Sequence, residues 1–455
     1  MTFSTKLEII STVIVIAIIA VFFLAVHLKK RQLARQARPT SLQIAPPGTA
    51  KGIIFGKDLD GKLVYSATQE EGSVFAVGGS GTGKTSAIVI PTLRAWTGTS
   101  LVIDISGDIC RNVDCPSKLI YSPGSPDSAP YNVFSLIDGL ADTDDQNEAL
   151  EKLAYLIMPE QLDANANAKY FQDGGRNILT ASLIAFYHQG MDFSDICKKI
   201  MGSDYKKLFS AIDDTQNTVA IMYINNFDGV GEQNVSGCKQ NCDTAVKLFA
   251  VNSKVGGSIR RPEADETAFS PATIEDHNVF VVIPDDMLKV YGPLLHIITA
   301  QCLDYFSARP ANQTKNILLC LDEFASLGQL EIVGALRKLR KKHVRILVLT
   351  QSIADLEEVY GQGAYRPMLS NFRFKLILGV GETDAQEYFA KLIGLQEKQK
   401  TSVTNSGSMG PVTSRTSSTE KDYIIEPSSL DRLGDELILL SPDGYKRLSK
   451  AFYYK

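Results

Sequence analysis

The chain has 455 residues, which is more than one ordinary hydrophobic core accommodates, so two or three structural units are expected. Hydrophobic residues make up 44% of it and charged residues 22%, which is typical of a globular protein and excludes a chain that is mostly disordered. The formal net charge of −4 excludes nucleic-acid binding through overall charge, so any nucleic acid would have to meet a local basic surface.

The seven cysteines are scattered without the dense spacing of a disulfide scaffold, which predicts reduced thiols and an intracellular location. Cys238 and Cys242 are spaced to share one face of a helix. Because no second Cys or His pair stands near enough to complete a tetrahedral site, zinc is not expected there.

The first predicted element is an uncharged run of eighteen residues at 9–26, IISTVIVIAIIAVFFLAV, long enough to cross a bilayer as a helix. Five Lys and Arg residues follow it within 29–38, and one lysine precedes it, so the positive-inside rule places the long C-terminal part in the cytoplasm. A cleaved signal peptide would have the reverse arrangement of charge. Residues 1–40 are therefore interpreted as a single-pass anchor in contact with lipid, followed by a basic juxtamembrane segment. The remainder is net acidic, with 41 Lys and Arg against 50 Asp and Glu.

The next element is a phosphate loop, GGSGTGKT at 78–85, which fits the pattern G-x-x-x-x-G-K-[ST]. It follows the apolar strand candidate SVFAV and precedes the helical pattern KTSAIVI, which is the setting that this motif requires. Lys84 is expected to reach the β- and γ-phosphates, and the Thr85 hydroxyl is expected to bind Mg²⁺. The residues predicted to bind the nucleotide are Gly78, Gly79, Ser80, Gly81, Thr82, Gly83, Lys84, Thr85 and Ser86.

Short apolar runs alternate with helical patterns along the rest of the chain, which indicates an α/β fold with a parallel sheet. The predicted strands are 74–77, 101–105, 279–283, 317–321, 345–350 and 374–380. More than 170 residues, largely helical in pattern, separate the second strand from the third. We therefore divide the cytoplasmic part into the first part of a P-loop NTPase domain, an inserted all-α substrate-recognition domain and the second part of the NTPase domain, at 41–139, 140–265 and 266–455.

The segment ILLCLDEF, 317–324, supplies two carboxylates at the end of an apolar strand. Asp322 fits the role of holding Mg²⁺, and Glu323 fits that of a general base for the attacking water. Gln351, after the next strand, could sense the γ-phosphate or orient the water. Two solvated acids at a strand end are the plainer alternative.

Between these strands lies LRKLRKKHVR, 336–345, with seven basic residues in ten when His343 is included. These side chains could line a nucleic-acid channel, one arginine could reach the γ-phosphate of a neighbouring subunit, or the segment could be a solvated basic helix. The basic residues of this segment are Arg337, Lys338, Arg340, Lys341, Lys342, His343 and Arg345.

The last part of the chain contains two predicted features. Residues 401–419 are rich in Ser, Thr and Gly and show no periodicity, which predicts a mobile loop. Two short runs joined by PDG near the C-terminus predict a closing hairpin.

Taken together, these features resemble the TraG/TraD-like family of type IV secretion coupling proteins. The resemblance covers nearly the whole chain and rests on GGSGTGKTSAIVIPTLRAWTG, NVFVVIPDDMLKVYGPLLHIITAQ, LDEFASLGQLEIVGALRKLRKKHVRILVLTQS and the C-terminal PSSLDRLGDELILLSPDGYKRLSKAFYYK. Pro91 in the first of these blocks predicts a bent or interrupted helix.

The resemblance implies a RecA-like P-loop ATPase that hydrolyses ATP with Mg²⁺, stimulated by DNA, as a ring at the bacterial inner membrane, expected to be a homo-hexamer. It also implies that the protein delivers relaxase-bound single-stranded DNA, or secreted proteins, to a type IV secretion or conjugation channel. Its partners would include the inner-membrane components of that system. By the same resemblance Arg340 matches an arginine that reaches across the subunit interface, so the expected catalytic residues are Lys84, Glu323, Gln351 and Arg340.

The chain departs from the family in two respects. The motif D-P-K-G-E is here DISGD, 104–108, with Ser106 in place of the lysine, and one span is visible where many members have two. Two alternatives stay open: a receptor that docks secreted proteins without pumping DNA, and an FtsK/HerA-like chromosome translocase, against which the order of elements argues.

Overall fold

The computed structural model describes residues 41–160, 165–310, 312–405 and 413–455. One compact unit runs from Ile44 to Lys455. The predicted membrane span, 9–26, lies outside the described residues. Within the described ranges, no helix is both long enough and apolar enough to cross a membrane.

The described part of the chain contains fourteen strands. They are β1 Gln43–Ala45, β2 Gly52–Lys57, β3 Leu63–Ala67, β4 Val74–Gly78, β5 Thr99–Asp104, β6 Lys118–Tyr121, β7 Asn278–Val282, β8 Ile317–Leu321, β9 Val344–Thr350, β10 Phe374–Gly379, β11 Leu395–Asn405, β12 Thr413–Tyr423, β13 Glu436–Ser441 and β14 Gly444–Ser449.

Twelve of these strands form one mixed sheet, in the order β1-β3-β2-β14-β13-β10-β4-β9-β8-β5-β7-β6. Strands β10, β4, β9, β8, β5, β7 and β6 are parallel, and β13, β14, β2 and β3 add an antiparallel extension beside β10. This α/β fold with a large mixed sheet fits a RecA-like ATPase.

All six predicted strands are confirmed, as β4, β5, β7, β8, β9 and β10. Each is buried almost throughout, because helices cover both faces of a parallel sheet. The predicted closing hairpin is confirmed as the antiparallel pair β13 and β14, in which Ser441 pairs with Gly444.

The described part of the chain contains fifteen α-helices, of which the longest are Ala166–Tyr187, Glu232–Val251 and Leu288–Ala308. A π-helical stretch, Lys84–Val89, precedes the first α-helix. The fifteen helices are Ile90–Ala95, Asp108–Asn112, Ser135–Asp138, Thr143–Ile157, Ala166–Tyr187, Phe193–Met201, Tyr205–Asp213, Thr218–Asn225, Glu232–Val251, Ser253–Ser258, Leu288–Ala308, Ile332–Leu339, Ala354–Tyr360, Tyr365–Ser370 and Thr383–Ile393.

Local sequence explains why the helices between β6 and β7 begin where they do. Asp142, Asn165, Asp204 and Asn217 each precede a helix, and each side chain accepts a hydrogen bond from a backbone N–H of its first turn. Such caps satisfy N–H groups that have no partner inside the helix. We refer to residues 143–258 as the helical segment; the domain boundaries at 140 and 265 stay a prediction.

The apolar core is continuous between the sheet and the helical segment. One cluster of buried side chains includes Leu319 in β8, Ile297 in helix Leu288–Ala308 and Ile178 in the helical segment. Phe134, just before the helical segment, contacts Phe193 within it at a ring-centroid distance of 5.9 Å. The helical segment is therefore anchored by shared packing and not by its two chain connections alone.

The predicted mobile loop at 401–419 is wrong for the part that the structure describes. Strands β11 and β12 pair antiparallel along their whole length in a separate two-stranded sheet. Strand pairing uses backbone groups that a Ser- and Thr-rich sequence also possesses, and its β-branched Thr and Val residues favour extended structure. The glycines and proline that suggested a loop fall within 406–412, outside the described residues.

The register of the parallel strands brings the residues predicted for phosphate binding and hydrolysis to one edge of the sheet. Val77 of β4 is level with Thr350 of β9, and Leu321 of β8 is level with Ile103 of β5. The residues that follow these strands therefore emerge together, since parallel strands present their carboxyl ends at the same edge.

Candidate functional site

The phosphate loop leaves β4 through a turn that only glycine accommodates at two positions. Gly81 and Gly83 have φ of +74° and +94°, a region that side chains rarely adopt. A Cβ atom on Gly83 would also lie 2.9 Å from the Phe452 ring. The Thr82 hydroxyl donates to the Gly79 carbonyl at 2.8 Å, which closes the turn.

Lys84 lies inside this loop. Its Nζ donates to the Gly78 carbonyl at 2.5 Å and to the Gly79 carbonyl at 3.3 Å. Burial lowers the pKa of Lys84, while the carboxylates of Glu323, Asp322 and Asp355 act in the opposite direction. A desolvated ammonium surrounded by carbonyl groups is well placed to bind phosphate oxygens.

The helix after the loop changes type in the middle. Residues Lys84–Val89 are π-helical and the chain continues as an α-helix over Ile90–Ala95, with Pro91 in its first turn. The interruption predicted from Pro91 is therefore confirmed, because proline has no N–H to continue a regular helix.

Two carboxylates follow β8 and differ in environment. Asp322 is 7% exposed, and its Oδ1 has no hydrogen-bond partner among the described residues. Burial, followed by the nearby charge of Glu323, raises the pKa of Asp322 to about 7, although Lys84 opposes this shift. An unpartnered buried oxygen is costly, so this atom is a strong candidate for a ligand contact.

Glu323 has a strained backbone, with φ of +48° and ψ of +52°. A non-glycine residue in this left-handed region costs free energy and is found more often at functional sites. The turn directs the side chain toward Gln351, whose Nε2 donates to Glu323 Oε1 at 2.8 Å. The predicted pair of hydrolytic residues is thus in direct contact.

The residues present fit a magnesium ion that also binds phosphate. Mg²⁺ prefers oxygen ligands and usually keeps several waters, with one or two protein groups. Asp322 Oδ1 and the Thr85 hydroxyl are such groups. The described residues contain no group of three or more His, Cys, Asp or Glu side chains suited to a metal, so a cage built from protein alone is not found there.

These elements surround a cavity of about 380 Å³. Glu323 and Gln351 line one part of it, next to the phosphate loop. Asp322 and Arg340 are not among the described residues that line it. The lining residues are Ser80, Gly81, Thr82, Gly83, Lys84, Thr85, Ser86, Ile90, Asp108, Asn112, Glu323, Gln351 and Tyr453.

Four of these lining residues are not predicted from the sequence as site residues: Ile90, Asp108, Asn112 and Tyr453. Tyr453 reaches the cavity because its backbone N–H donates to the Ser86 carbonyl at 3.0 Å, which docks the C-terminal end on the phosphate-loop helix. The aromatic cluster in the final AFYYK was the only sequence signal for this contact.

Asp104 lies in the DISGD motif, which differs from the family pattern D-P-K-G-E, and it has a structural role. It is fully buried, and its carboxylate accepts hydrogen bonds from Gly107 N at 3.0 Å and Cys110 N at 2.7 Å. Burial raises the pKa of Asp104, and these hydrogen bonds oppose the rise. Ser106, in the lysine position, accepts from Asp108 N at 3.2 Å and so helps to shape the same turn.

The basic segment 336–345 divides into exposed and buried cations. Arg337, Lys338, Arg340 and Lys341 are exposed, and Arg340 Nε lies 2.5 Å from Glu71 Oε2. Arg340 therefore forms an ion pair within its own chain, and its predicted role across a subunit interface stays a prediction.

Arg345 does not belong with the exposed cations, so its predicted place in a nucleic-acid channel is wrong. It is 3% exposed and donates to the carbonyls of Ala67 and Gly72, both at 2.9 Å. Burial lowers the pKa of Arg345 to about 9. Its position in β9 turns the side chain inward, where it satisfies carbonyl groups at the end of β3 and before β4.

Similarity to known proteins was found at the level of sequence and of fold. VirD4 of Rhizobium rhizogenes is 23% identical over 434 residues, which cover 89% of this chain and 62% of that protein. The conjugal transfer protein TraG of Rhizobium radiobacter is 21% identical over 411 residues, covering 84% and 62% respectively. The chain thus spans less than two thirds of the length of these relatives.

Solved structures of the bacterial conjugative coupling protein TrwB have the same fold. An unbound form gives a TM-score of 0.66 at 17% identity and covers 83% of this chain and 84% of its own. A TrwB complex with ADP and Mg²⁺ gives a TM-score of 0.64 at 18% identity, covering 84% and 85%. A sequence model of the type IV secretory system conjugative DNA transfer family matches residues 36–455. Because this match covers most of the chain, the protein belongs to that family.

Proposed function

We propose that this protein is a membrane-anchored ATPase that couples DNA-relaxase or protein substrates to a type IV secretion or conjugation channel. The observation that carries the proposal is the contact between Glu323 and Gln351 on the wall of the cavity that contains Lys84. Membership of the conjugative DNA transfer family supports the substrate class. The TrwB structures with ADP and Mg²⁺ or with non-hydrolysable nucleotide analogues support the ligand.

In the proposed reaction the phosphate loop binds the triphosphate of ATP, and Lys84 contacts its β- and γ-phosphates. Magnesium, held by Thr85 and Asp322, would neutralise charge on the phosphates. Glu323 accepts a proton from the attacking water, and the Gln351 amide holds that water or the carboxylate in position. The strained backbone of Glu323 favours this arrangement, because it keeps the carboxylate at the cavity and not along the strand.

We propose that the exposed cations Arg337, Lys338 and Lys341 contact the DNA backbone. They lie at the C-terminal end of helix Ile332–Leu339 and just before β9, where Arg340 pairs with Glu71 and the His343 carbonyl accepts from Ile317 N at the start of β8. This is the edge of the sheet opposite to Glu323 and Gln351, so DNA bound there would be linked to the hydrolytic pair through β8, β9 and that helix. These cations form a basic cluster in a chain whose net charge is negative. A net acidic protein can bind DNA phosphates only through such a local cluster. In a ring, Arg340 would exchange its ion pair with Glu71 for the γ-phosphate of a neighbouring subunit.

We also propose that residues 9–26 anchor the protein in the bacterial inner membrane, with the described part in the cytoplasm and a homo-hexamer as the working assembly. The uncharged length of the segment and the cations after it support this orientation. Inner-membrane components of the secretion system are the expected partners.

The test measures the ATPase rate of the full chain in detergent, with and without single-stranded DNA, over a range of protein concentrations. A DNA-stimulated rate that rises steeply with concentration is expected, because a ring shares its active sites between subunits. Glu323→Gln serves as the inactive control. A rate indifferent to DNA, together with binding of a secretion substrate and no DNA affinity at low salt, would replace the proposal with a docking receptor for proteins.

A further inference from the structure

The cavity extends beyond the groups that the proposed hydrolysis uses. Lys84, Glu323 and Gln351 lie at its reactive side. Ile90 lies one helical turn past Ser86, so the wall continues along the phosphate-loop helix, where Asn112 and Tyr453 also line it. A triphosphate with its γ-phosphate at Glu323 leaves this remaining wall for the rest of the ligand.

Arg94 holds this second part of the cavity together. Its Nη2 and Nε donate to the Asn112 carbonyl at 2.7 and 3.1 Å, and its guanidinium lies 4.9 Å from the centre of the Tyr453 ring. Tyr453 N–H donates to the Ser86 carbonyl on the same helix. Three distant parts of the chain therefore meet in a fixed arrangement, which is typical of a built site and not of a surface hollow.

The chemistry of this wall suits a nucleoside. The half-buried Tyr453 ring supplies apolar surface for a planar base, whereas Ile90 is 1% exposed and contributes almost no accessible surface. Asn112 Nδ2 donates to the Asp108 carbonyl at 2.8 Å, which leaves Asn112 Oδ1 as an acceptor for an N–H of a base. The exposed Asp108 carboxylate pairs with Arg111 through Oδ1, and its Oδ2 is an acceptor for a ribose hydroxyl group.

We propose that Asp108, Asn112 and Tyr453 form the nucleoside subsite of this protein, with Tyr453 as its main affinity determinant. The inference rests on the proposed nucleotide binding at the phosphate loop and adds which residues hold the base and ribose. It also gives the C-terminal residues a role in substrate binding.

The test compares the affinity of the full chain in detergent for ATP and for inorganic tripolyphosphate, both with Mg²⁺, by titration calorimetry. Tyr453→Ala should weaken ATP binding about tenfold, the scale of a lost aromatic contact with a base, and leave tripolyphosphate binding unchanged. Tyr453→Phe should retain wild-type affinity for both. Tyr445→Ala removes an exposed tyrosine from the same end of the chain and should change neither.

Asn112→Ala is the second variant, from a different part of the chain, and should likewise weaken ATP binding alone. Equal weakening of both ligands would overturn the subsite, since Tyr453 and Asn112 would then only support the phosphate loop. Unchanged ATP affinity in both variants would overturn it as well. Because neither titration requires hydrolysis or DNA, failure of the proposed DNA-stimulated ATPase is distinguishable from failure of the subsite.

Discussion

The cavity and the helical segment differ in where their strained and unpartnered groups are placed. Five of the seven helices described in the segment start at an Asp or Asn side-chain cap, and their apolar faces join one continuous core. Around the cavity the chain has a non-glycine residue, Glu323, in the left-handed region and a buried, unpartnered oxygen on Asp322. The helical segment also contains a left-handed non-glycine residue, Gln216, and an unpartnered buried nitrogen, Arg176 Nη2, but these lie far apart in its sequence. What distinguishes the site is that both features fall on two consecutive carboxylates, Asp322 and Glu323, beside the phosphate loop.

The largest expected effect tests whether the helical segment shares its core with the sheet. Phe193 is 2% exposed and contacts Phe134 and Phe249 at ring-centroid distances of 5.9 and 5.2 Å. Phe193→Ala should lower the free energy of unfolding by about 3–5 kcal/mol, the cost of a large buried cavity. Calorimetry should show one transition shifted as a whole, whereas Tyr170→Ala, at an exposed position, should leave it in place. Two separate transitions would show that the segment folds independently.

The next largest effect concerns the cavity, where the backbone of Glu323 is strained. Glu323→Gln keeps the size of the side chain but removes the base, so the ATPase rate should fall by a factor on the order of 10² or more while nucleotide affinity is retained. Lys84→Ala should instead lose affinity, because it removes direct phosphate contacts. Glu358→Gln, an exposed acid on a neighbouring helix, is the matched control. Equal loss of binding in the Glu323 and Lys84 variants would contradict their separate roles.

The pH dependence of stability should report on the buried carboxylate of Asp322, which neighbours the cavity residue Glu323. Burial raises the pKa of Asp322 from 3.8 to about 7, so between these values the folded state holds a proton that the unfolded state releases. The free energy of unfolding without ligand should therefore fall as pH rises from about 4 to about 7. Melting temperatures over this range should fall less in Asp322→Asn, and equal slopes in both proteins would refute the assignment.

The smallest effect belongs to the helical segment and should stay local. Asn165 accepts from Ala168 N at 2.9 Å and caps helix Ala166–Tyr187. Asn165→Ala should cost about 1 kcal/mol and leave the ATPase rate unchanged, because the cap serves one helix end. Hydrogen exchange should report faster exchange at the first turn of this helix. Asn165→Asp, which preserves the acceptor, should restore protection.

Much of the fold and site is determined by local patterns in the sequence. The six apolar runs form parallel strands because a short segment that is apolar throughout must be buried on both faces. A parallel sheet covered by helices on both sides provides that burial. The phosphate loop, Glu323 and Gln351 were predicted from motif and strand position, since parallel strands bring their carboxyl ends to one edge. The helix interruption at Pro91 and the turn at PDG were also predictable from the sequence, because each motif acts on its immediate neighbours in the chain.

Other features depend on contacts between residues far apart in the chain, and only the tertiary structure decided them. Arg345 and Arg340 belong to one basic run, yet the inward face of β9 buries the first and leaves the second exposed. Tyr453 joins the cavity through a hydrogen bond to Ser86, near the opposite end of the sequence. Residues 395–405 pair with 413–423 because backbone pairing requires no apolar pattern. Sequence determines what a residue can do chemically, and long-range packing decides which of its neighbours it meets.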